Sequence, residues 1–339
     1  MKTVVIGGEK QVTLVEREKP QARPGEILLK IHYVGFCGSD LNTFLGRNPM
    51  VKLPVIPGHE FGAEIVELTP GVPDNFRTGM FCTVNPYTSC GHCSSCRNDR
   101  PNACRFNQTM GVQRDGAMCE YIAVPWQKVI TDEVIPVRDF ALVEPMSVGF
   151  HAVARAEVND LDKVMVIGCG MVGIGAIARS VLRGAEVIAV DIDDEKLQLA
   201  KRLGAKHAIN SKTEDLHLRL LELTLDAGPD VVIEAVGLPL TYRTAVDEVA
   251  FTGRVVCIGY AKTEIAFETK YFVMKELDIR GSRNARPEDF QAVMHYLRQL
   301  PGCAESFISG VYPPEQASEA LMKWMEAPGK VFRILIAFS

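Results

Sequence analysis

Apolar and polar positions along this chain follow two different periods. Through about residue 136 they alternate in a strand-like way, with glycine and proline dense between the runs. The clearest strand covers 26–34, Glu-Ile-Leu-Leu-Lys-Ile-His-Tyr-Val, entered through Pro24-Gly25 and left at Gly35-Phe36-Cys37-Gly38. Short strands broken by turn residues predict an all-β, barrel-like first domain. Helical spacing begins near Ala141, and from there strand and helix alternate. Strands are expected over 164–167, 186–190, 231–234, 254–258 and 277–280, and helices over 171–182, 194–203, 240–249 and 287–300. That order predicts an α/β class with a doubly wound parallel sheet. A helix at 314–326 and a strand at 331–338 follow. The strand is expected to return to the first domain. No internal repeat or low-complexity segment interrupts the pattern.

At the first of these strands the pattern meets chemistry. Val164-Met165-Val166-Ile167 runs into Gly168-Cys169-Gly170-Met171-Val172-Gly173, with the spacing G-x-G-x-x-G, and then into a helix of small apolar residues. The next apolar run ends in Asp191, 18 residues beyond Gly173. Strand, glycine loop, helix and acid together predict a dinucleotide-binding βαβ unit. Gly168 permits the tight turn, Gly170 lets the backbone approach a pyrophosphate, and Gly173 lets helix and strand pack closely. The helix N-terminus offers free N–H groups to the phosphates. The candidate cofactor-binding residues are Gly168, Gly170, Met171, Val172, Gly173 and Asp191, with Ile258 and Ser282 at later strand ends. Asp191, followed by Asp193 and Asp194, accepts ribose hydroxyls and repels a 2′-phosphate. The expected cofactor is therefore NAD, not NADP.

Composition narrows the partners. The 339 residues are 47% hydrophobic and 23% charged, enough for two domains with large cores. The formal net charge of −5, without a Lys/Arg block, argues against nucleic acid and anionic membrane as partners. No apolar run approaches the length of a membrane span. The opening Met1–Gly7 stretch is too short for a signal-peptide core, so a cytoplasmic location is expected. In a reducing compartment the ten cysteines are metal ligands or core thiols before they are disulfides.

Cysteine spacing gives two constellations. Cys90, Cys93, Cys96 and Cys104 read C-x2-C-x2-C-x7-C in a segment rich in Gly, Ser, Asn and Pro. Four thiolates so close suit a closed, structural Zn(Cys)4 site, with an iron–sulfur cluster as the rival. His92 lies among them and is read as exposed. The second constellation is dispersed: Cys37 after a strand, His59-Glu60 in Pro57-Gly58-His59-Glu60-Phe61-Gly62, and Glu144 in Val143-Glu144-Pro145-Met146-Ser147-Val148. A thiolate, an imidazole and one or two carboxylates can make a catalytic zinc site with an open position. Taken singly, they also read as a buried thiol, a turn histidine and a helix-start acid. Cys82, Cys119, Cys169, Cys257 and Cys303 read as packing residues.

Taken together, these pieces resemble the zinc-dependent medium-chain dehydrogenase/reductase family. The matching stretches are Gly35-Phe36-Cys37-Gly38-Ser39-Asp40, Pro57-Gly58-His59-Glu60-Phe61-Gly62, the four-cysteine lobe, Asp115-Gly116-Ala117-Met118-Cys119-Glu120-Tyr121, Glu144-Pro145 and the Gly168–Gly173 loop, in the family's order over most of the chain. Glu144-Pro145-Met146-Ser147-Val148 is similar to a segment of sorbitol-type enzymes. The stretch from Gly281 to Phe290 resembles that of hexonate dehydrogenases, especially the L-galactonate and L-gulonate 5-dehydrogenases. The resemblance implies a GroES-like β-barrel catalytic domain over 1–145 with 287–339 returning to it, and a Rossmann domain over 146–286. It implies two zinc ions per chain, one catalytic on Cys37 and His59 and one structural on the four cysteines. Glu144 would be a further ligand, directly or through water, and Glu60 a neighbouring or exchanging one. Asp40 would orient the histidine, and Ser39 would pass the substrate proton outward. A homo-oligomer, dimer or tetramer, is also implied. Two departures stand out. Asn42 occupies a position where the family often has a titratable histidine, so the last proton step would use water or another group. Gly79-Met80-Phe81-Cys82 replaces the usual Gly-Asp-Arg-Val and reads as a structural change.

The implied reaction is oxidation of an alcohol by NAD, with zinc as the Lewis acid that makes the alkoxide accessible. The expected substrate is a small-molecule sugar acid, a hexonate such as L-gulonate or L-galactonate. Arg283, Arg286 and Arg114 are the candidate carboxylate partners, because a guanidinium fork matches a carboxylate. The cofactor is the other partner open to Arg283. Neutral polyols and a threonine-type substrate are the alternatives. An NAD-binding regulatory module, or a structural or redox-sensing role for the cysteine lobe, is the non-enzyme reading. The full set Cys37, Ser39, His59 and Glu144 favours catalysis over the binding module, and metal found only on the cysteine lobe would favour the structural or redox role.

Overall fold

The computed structural model describes residues 1–300 and 303–338, the side chains of 303 and 304 excepted. They form two compact units, Met1–Glu144 with Arg286–Ser339, and Pro145–Ala285.

In the first unit a seven-stranded sheet runs Ile308–Tyr312, Arg333–Ala337, Glu26–Gly35, Glu60–Leu68, Phe81–Val84 and Val129–Thr131, and Tyr121–Pro125 also pairs with Glu26–Gly35. A separate hairpin pairs Lys2–Gly8 with Gln11–Glu16. The long central strand carries an apolar row, Ile27, Leu29, Ile31 and Val34, into a core with Phe61, Ile65 and Phe44. The tail strand Arg333–Ala337 pairs within this unit's sheet. Leu335 pairs with Gly35, antiparallel, and the Phe36 N–H donates to the Ile334 carbonyl at 3.0 Å. The register matters because it sets Arg333 beside the residues that lead to Cys37.

The second unit is a six-stranded parallel sheet in the order His207–Asn210, Glu186–Asp191, Lys163–Ile167, Val231–Glu234, Arg254–Cys257, Asp278–Gly281. The order reverses beside Lys163–Ile167, so the carboxyl ends of Lys163–Ile167 and Val231–Glu234 flank the crevice where such sheets bind ligands. The helix Met171–Leu182 has the predicted bounds, and Asp194–Arg202, Pro239–Glu248 and Pro287–Arg298 fall within one or two residues of theirs. The expected helix at 314–326 is the α-helix Ala317–Glu326 behind a 3-10 turn, Pro314–Gln316. The strands His207–Asn210 and Ile308–Tyr312 and the helices Gly38–Phe44 and Leu216–Thr224 are additions to the sequence reading. Leu216–Thr224 alternates Leu with polar residues, which mimics a strand. Asp215 makes it a helix by accepting the Leu218 N–H at 3.1 Å. Among the described residues no helix is long and apolar enough to cross a membrane.

Candidate active site and metal centres

Two ligand clusters stand in the first unit. Cys37, His59 and Glu60 bring one ligand atom each within 4.8 Å of the others, and Cys90, Cys93, Cys96 and Cys104 do the same.

Local backbone chemistry builds the first cluster. Cys37 precedes the helix Gly38–Phe44, and its N–H donates to Asp40 Oδ2 at 2.9 Å. Asp40 also lies near enough to His59 for the two charges to favour one another. Gly58 sits at φ +100°, a conformation glycine adopts at no steric cost. The stretch Asp115–Met118 clasps that turn: Gly116 N–H to Ile56 O at 2.8 Å, Ala117 N–H to Gly58 O at 2.9 Å, and Met118 N–H to Pro57 O at 3.0 Å. Asp115 Oδ1 accepts the Ile56 N–H at 3.0 Å. A Cβ on Gly116 would lie 2.4 Å from Gly58 O, which explains the Asp-Gly pair at this point. Glu60 forms a buried ion pair with Arg333, whose guanidinium also donates to Phe36 O at 2.5 Å.

The cluster gathers several acidic side chains around one imidazole. Burial pushes the Cys37 thiol and the Asp40 carboxyl up, and the Glu60 carboxyl well up despite Arg333. Burial works against a charged His59, yet the carboxylates of Glu144, Asp40 and Glu60 outweigh it and raise the imidazole. Among the described residues Ser39 Oγ, Asp40 Oδ1 and His59 Nδ1 are buried without a hydrogen-bond partner. Thiol, imidazole and carboxylate among acidic side chains, with orphaned buried atoms, fit a divalent zinc ion. Glu144 is 4% exposed and lies outside the trio; its Oε1 accepts the hydroxyl of Tyr87. Asn42 gives its amide to Gly38 O at 2.9 Å, a helix-turn bond.

The four-cysteine lobe has sulfur separations of 3.5 Å (Cys93–Cys96), 3.8 Å (Cys93–Cys104) and 4.0 Å (Cys90–Cys96). A tetrahedron with Zn–S bonds of about 2.3 Å has edges of about 3.8 Å. A polynuclear iron–sulfur cluster would place several atoms between the thiolates and spread them further. Backbone N–H groups of Cys93, Cys90 and Phe106 donate to the sulfurs of Cys90, Cys104 and Cys104. His92 is exposed, its Nδ1 on Cys90 O at 2.8 Å.

In the second unit the glycine loop follows the strand Lys163–Ile167. Gly168 has φ +93°, and a Cβ on Gly173 would stand 1.7 Å from Gly168 O. Nothing lies within 4 Å of a Cβ on Gly170, so the loop leaves open space there. Met171 and Val172 begin the helix. Asp191 Oδ2 accepts the Cys169 N–H at 2.6 Å, and its Oδ1 the N–H groups of Ile192 and Asp193 at 2.7 and 3.1 Å. The Ile258 N–H donates to Glu234 O, and Ser282 N–H to Cys257 O, both at 2.9 Å; the Ser282 hydroxyl is buried without a partner among the described residues.

The arginines divide. Arg114 donates to Gln108 O and Pro86 O, each at 3.2 Å, so its guanidinium is spent on loop carbonyls. Arg286 pairs with Asp99 at 3.0 Å and Glu288 at 2.6 Å. Arg283 is exposed just beyond Asp278–Gly281. Cys82, Cys119 and Cys169 are buried thiols, Cys257 is half-buried, and the side chain of Cys303 lies outside the described residues. Two site residues were not read from sequence. Arg333 could have been, as a lone charge in the apolar run Val331-Phe332-Arg333-Ile334-Leu335-Ile336. Tyr87 carries no spacing signal.

Comparison with known proteins gives the family. Residues 23–136 match the alcohol dehydrogenase GroES-like domain, and residues 172–299 the zinc-binding dehydrogenase family. The L-galactonate-5-dehydrogenase of Escherichia coli K12 is 32% identical over 314 residues, 92% of each chain. A sorbitol dehydrogenase of Halalkalibacterium halodurans is 32% identical over 303 residues, 87% of this chain and 88% of the other. A crystal structure of the Escherichia coli alcohol dehydrogenase RspB with NADH superposes with a TM-score of 0.90 at 29% identity, covering 100% of this chain and 99% of that one. The chain belongs to the zinc-type medium-chain alcohol dehydrogenases, in their polyol and sugar branch, and is an oxidoreductase of that family.

Proposed function

We propose that this chain oxidises a secondary hydroxyl of a hexonate, such as L-gulonate or L-galactonate, to the keto acid with NAD. The observation that carries the reading is the trio Cys37, His59 and Glu60 with the partnerless Ser39 hydroxyl two residues from Cys37. Those three residues would hold the catalytic zinc, which supplies Lewis acidity to a substrate hydroxyl while NAD takes up the hydride. Ser39 Oγ accepts the substrate proton as it gives its own hydroxyl proton outward to water. Asp40 holds the turn of Cys37 through its N–H and favours a charged His59 beside it. Arg333 fixes Glu60.

Arg283 is assigned to the substrate carboxylate. It follows a strand at the end where open parallel sheets bind ligands, and the L-galactonate relative supports the substrate class. A neutral polyol is the second reading, supported by the sorbitol relative and by Arg114 and Arg286 already being engaged. The test compares kcat/KM for L-gulonate and L-galactonate with that for sorbitol and galactitol, in wild type and Arg283→Ala. Loss of a charge-assisted carboxylate contact should cost hexonates about 10- to 100-fold and polyols little. Equal losses on both classes, or wild-type preference for polyols, would reject the sugar acid.

Asp191 is assigned to the adenine-side ribose. It also braces the glycine loop through the Cys169 N–H, so Asp191→Ala removes two supports at once. NAD affinity should fall by at least about 10-fold, the equivalent of one charged hydrogen bond, and the preference for NAD over NADP should narrow. Cofactor titration by fluorescence measures both. A wild-type enzyme that prefers NADP overturns this assignment.

A further inference from the structure

One buried acid of the second unit has no part in the chemistry above. Glu234 ends the strand Val231–Glu234 and is 0% exposed. A carboxyl group is costly to bury unless hydrogen bonds offset its lost hydration. Here they converge on one oxygen. Glu234 Oε1 accepts the Val236 N–H at 2.9 Å, the Gly237 N–H at 2.8 Å and the Thr241 hydroxyl at 2.7 Å. The side chain thus folds the turn Ala235–Gly237 back over its own strand end and ties it to the helix Pro239–Glu248. The main chain of the same residue holds the neighbouring loop: Glu234 O accepts the Ile258 N–H at 2.9 Å. Tyr242, next to Thr241, donates its hydroxyl to Gly259 O. The two loops meet backbone on backbone, for a Cβ on Gly259 would stand 2.4 Å from Gly237 N. On its other side the turn abuts the glycine loop. Ala235 N–H donates to Ile167 O at 3.0 Å, and a Cβ on Gly168 would stand 2.6 Å from Val236 Cγ2.

The place of this turn gives it a use. The strand order reverses beside Lys163–Ile167, and a dinucleotide lies across such a crevice with one half on each side. With Asp191 on the adenine-side ribose, the adenine half belongs to the Glu186–Asp191 side and the nicotinamide half to the Val231–Glu234 side. On that side the turn presents Val236, an apolar side chain that is 43% exposed. We propose that Glu234 is a positioning residue: its carboxylate shapes the turn Ala235–Gly237 into the seat of the nicotinamide half of NAD. The proposal rests on the assignment of Asp191 to the adenine half.

Glu234→Ala removes the acceptor of all three donors, whereas Glu234→Gln keeps an oxygen where Oε1 stands. The full-length enzyme and both variants are titrated calorimetrically with NADH and with AMP, which carries the adenine half alone. In Glu234→Ala, NADH should bind at least about 10-fold more weakly, the effect of leaving donors without their acceptor, while AMP should stay within about 3-fold of wild type. Glu234→Gln should bring NADH back to within about 3-fold of wild type, because the three donors keep their acceptor. A residue that only supported the fold would move NADH and AMP together. Equal losses of the two ligands, loss of all binding, unchanged NADH affinity in Glu234→Ala, or a Gln variant as weak as the Ala variant would each overturn the proposal. Asp191→Ala separates it from the reading on which it rests. That variant should weaken AMP, and unchanged AMP affinity there would overturn the assignment of Asp191 instead.

Discussion

His59→Ala is expected to leave a folded protein that binds one zinc in place of two and has lost at least about 1,000-fold in kcat/KM. The magnitude follows from the several kcal/mol that a Lewis-acid metal contributes to the transition state, at about 1.4 kcal/mol per tenfold. The site explains why this one side chain matters so much. Asp40, Glu60 and Glu144 all raise the imidazole, and Cys37 adds a fourth acidic group. Without His59 the trio falls to a thiol and a carboxylate that is already paired to Arg333, too few donors for a tight zinc site. The fold should survive, because the turn is held by backbone hydrogen bonds from Asp115–Met118 and by Asp115 Oδ1 on the Ile56 N–H. Metal content, circular dichroism and turnover on one sample decide the matter. A folded variant with full activity refutes the assignment of His59.

Which parts of this were legible in the sequence follows from how local the forces are. The glycine loop was legible because its constraint is steric and short-range: a Cβ at Gly173 collides with Gly168 O a few residues away. The helix Met171–Leu182 was legible for the same reason, being small, apolar and entered through glycine. The cysteine lobe was legible from spacing alone, since four thiolates within 15 residues have few other uses. The Arg286–Asp99 pair was not legible because its members lie 187 residues apart, and sequence gives no measure of that pairing. The Arg114 bonds were not legible because their acceptors are backbone carbonyls, which carry no residue signature. The Tyr87–Glu144 bond spans 57 residues and is set by tertiary packing. Short edge strands such as His207–Asn210 were missed because four residues cannot establish a period.

Cys90→Ser should be more damaging to stability than any change at the catalytic trio. The lobe has almost no core of its own. Its helix, Ser94–Arg97, is a single turn with no buried residue, and the turn that follows, Pro101–Ala103, buries only Asn102. The apolar groups it buries are two of the cysteines, Cys93 and Cys104. A segment built this way is ordered by its metal, and structural zinc supplies on the order of 10 kcal/mol to isolated zinc peptides. Losing one thiolate of four should therefore lower Tm by at least about 10 °C. The damage should spread beyond the lobe, since Asp99 would no longer pair with Arg286 at the start of the helix Pro287–Arg298. Zinc per chain should fall from two to one, and protease should cut first within 90–106. The remaining zinc should stay on the trio, so turnover should persist below the new Tm. The zinc-loaded wild type should lack the visible absorption of an iron–sulfur protein. If Cys90→Ser melts with wild type and keeps two zinc ions, the lobe is not a zinc site. If it loses turnover at low temperature while folded, the two metal centres are not independent.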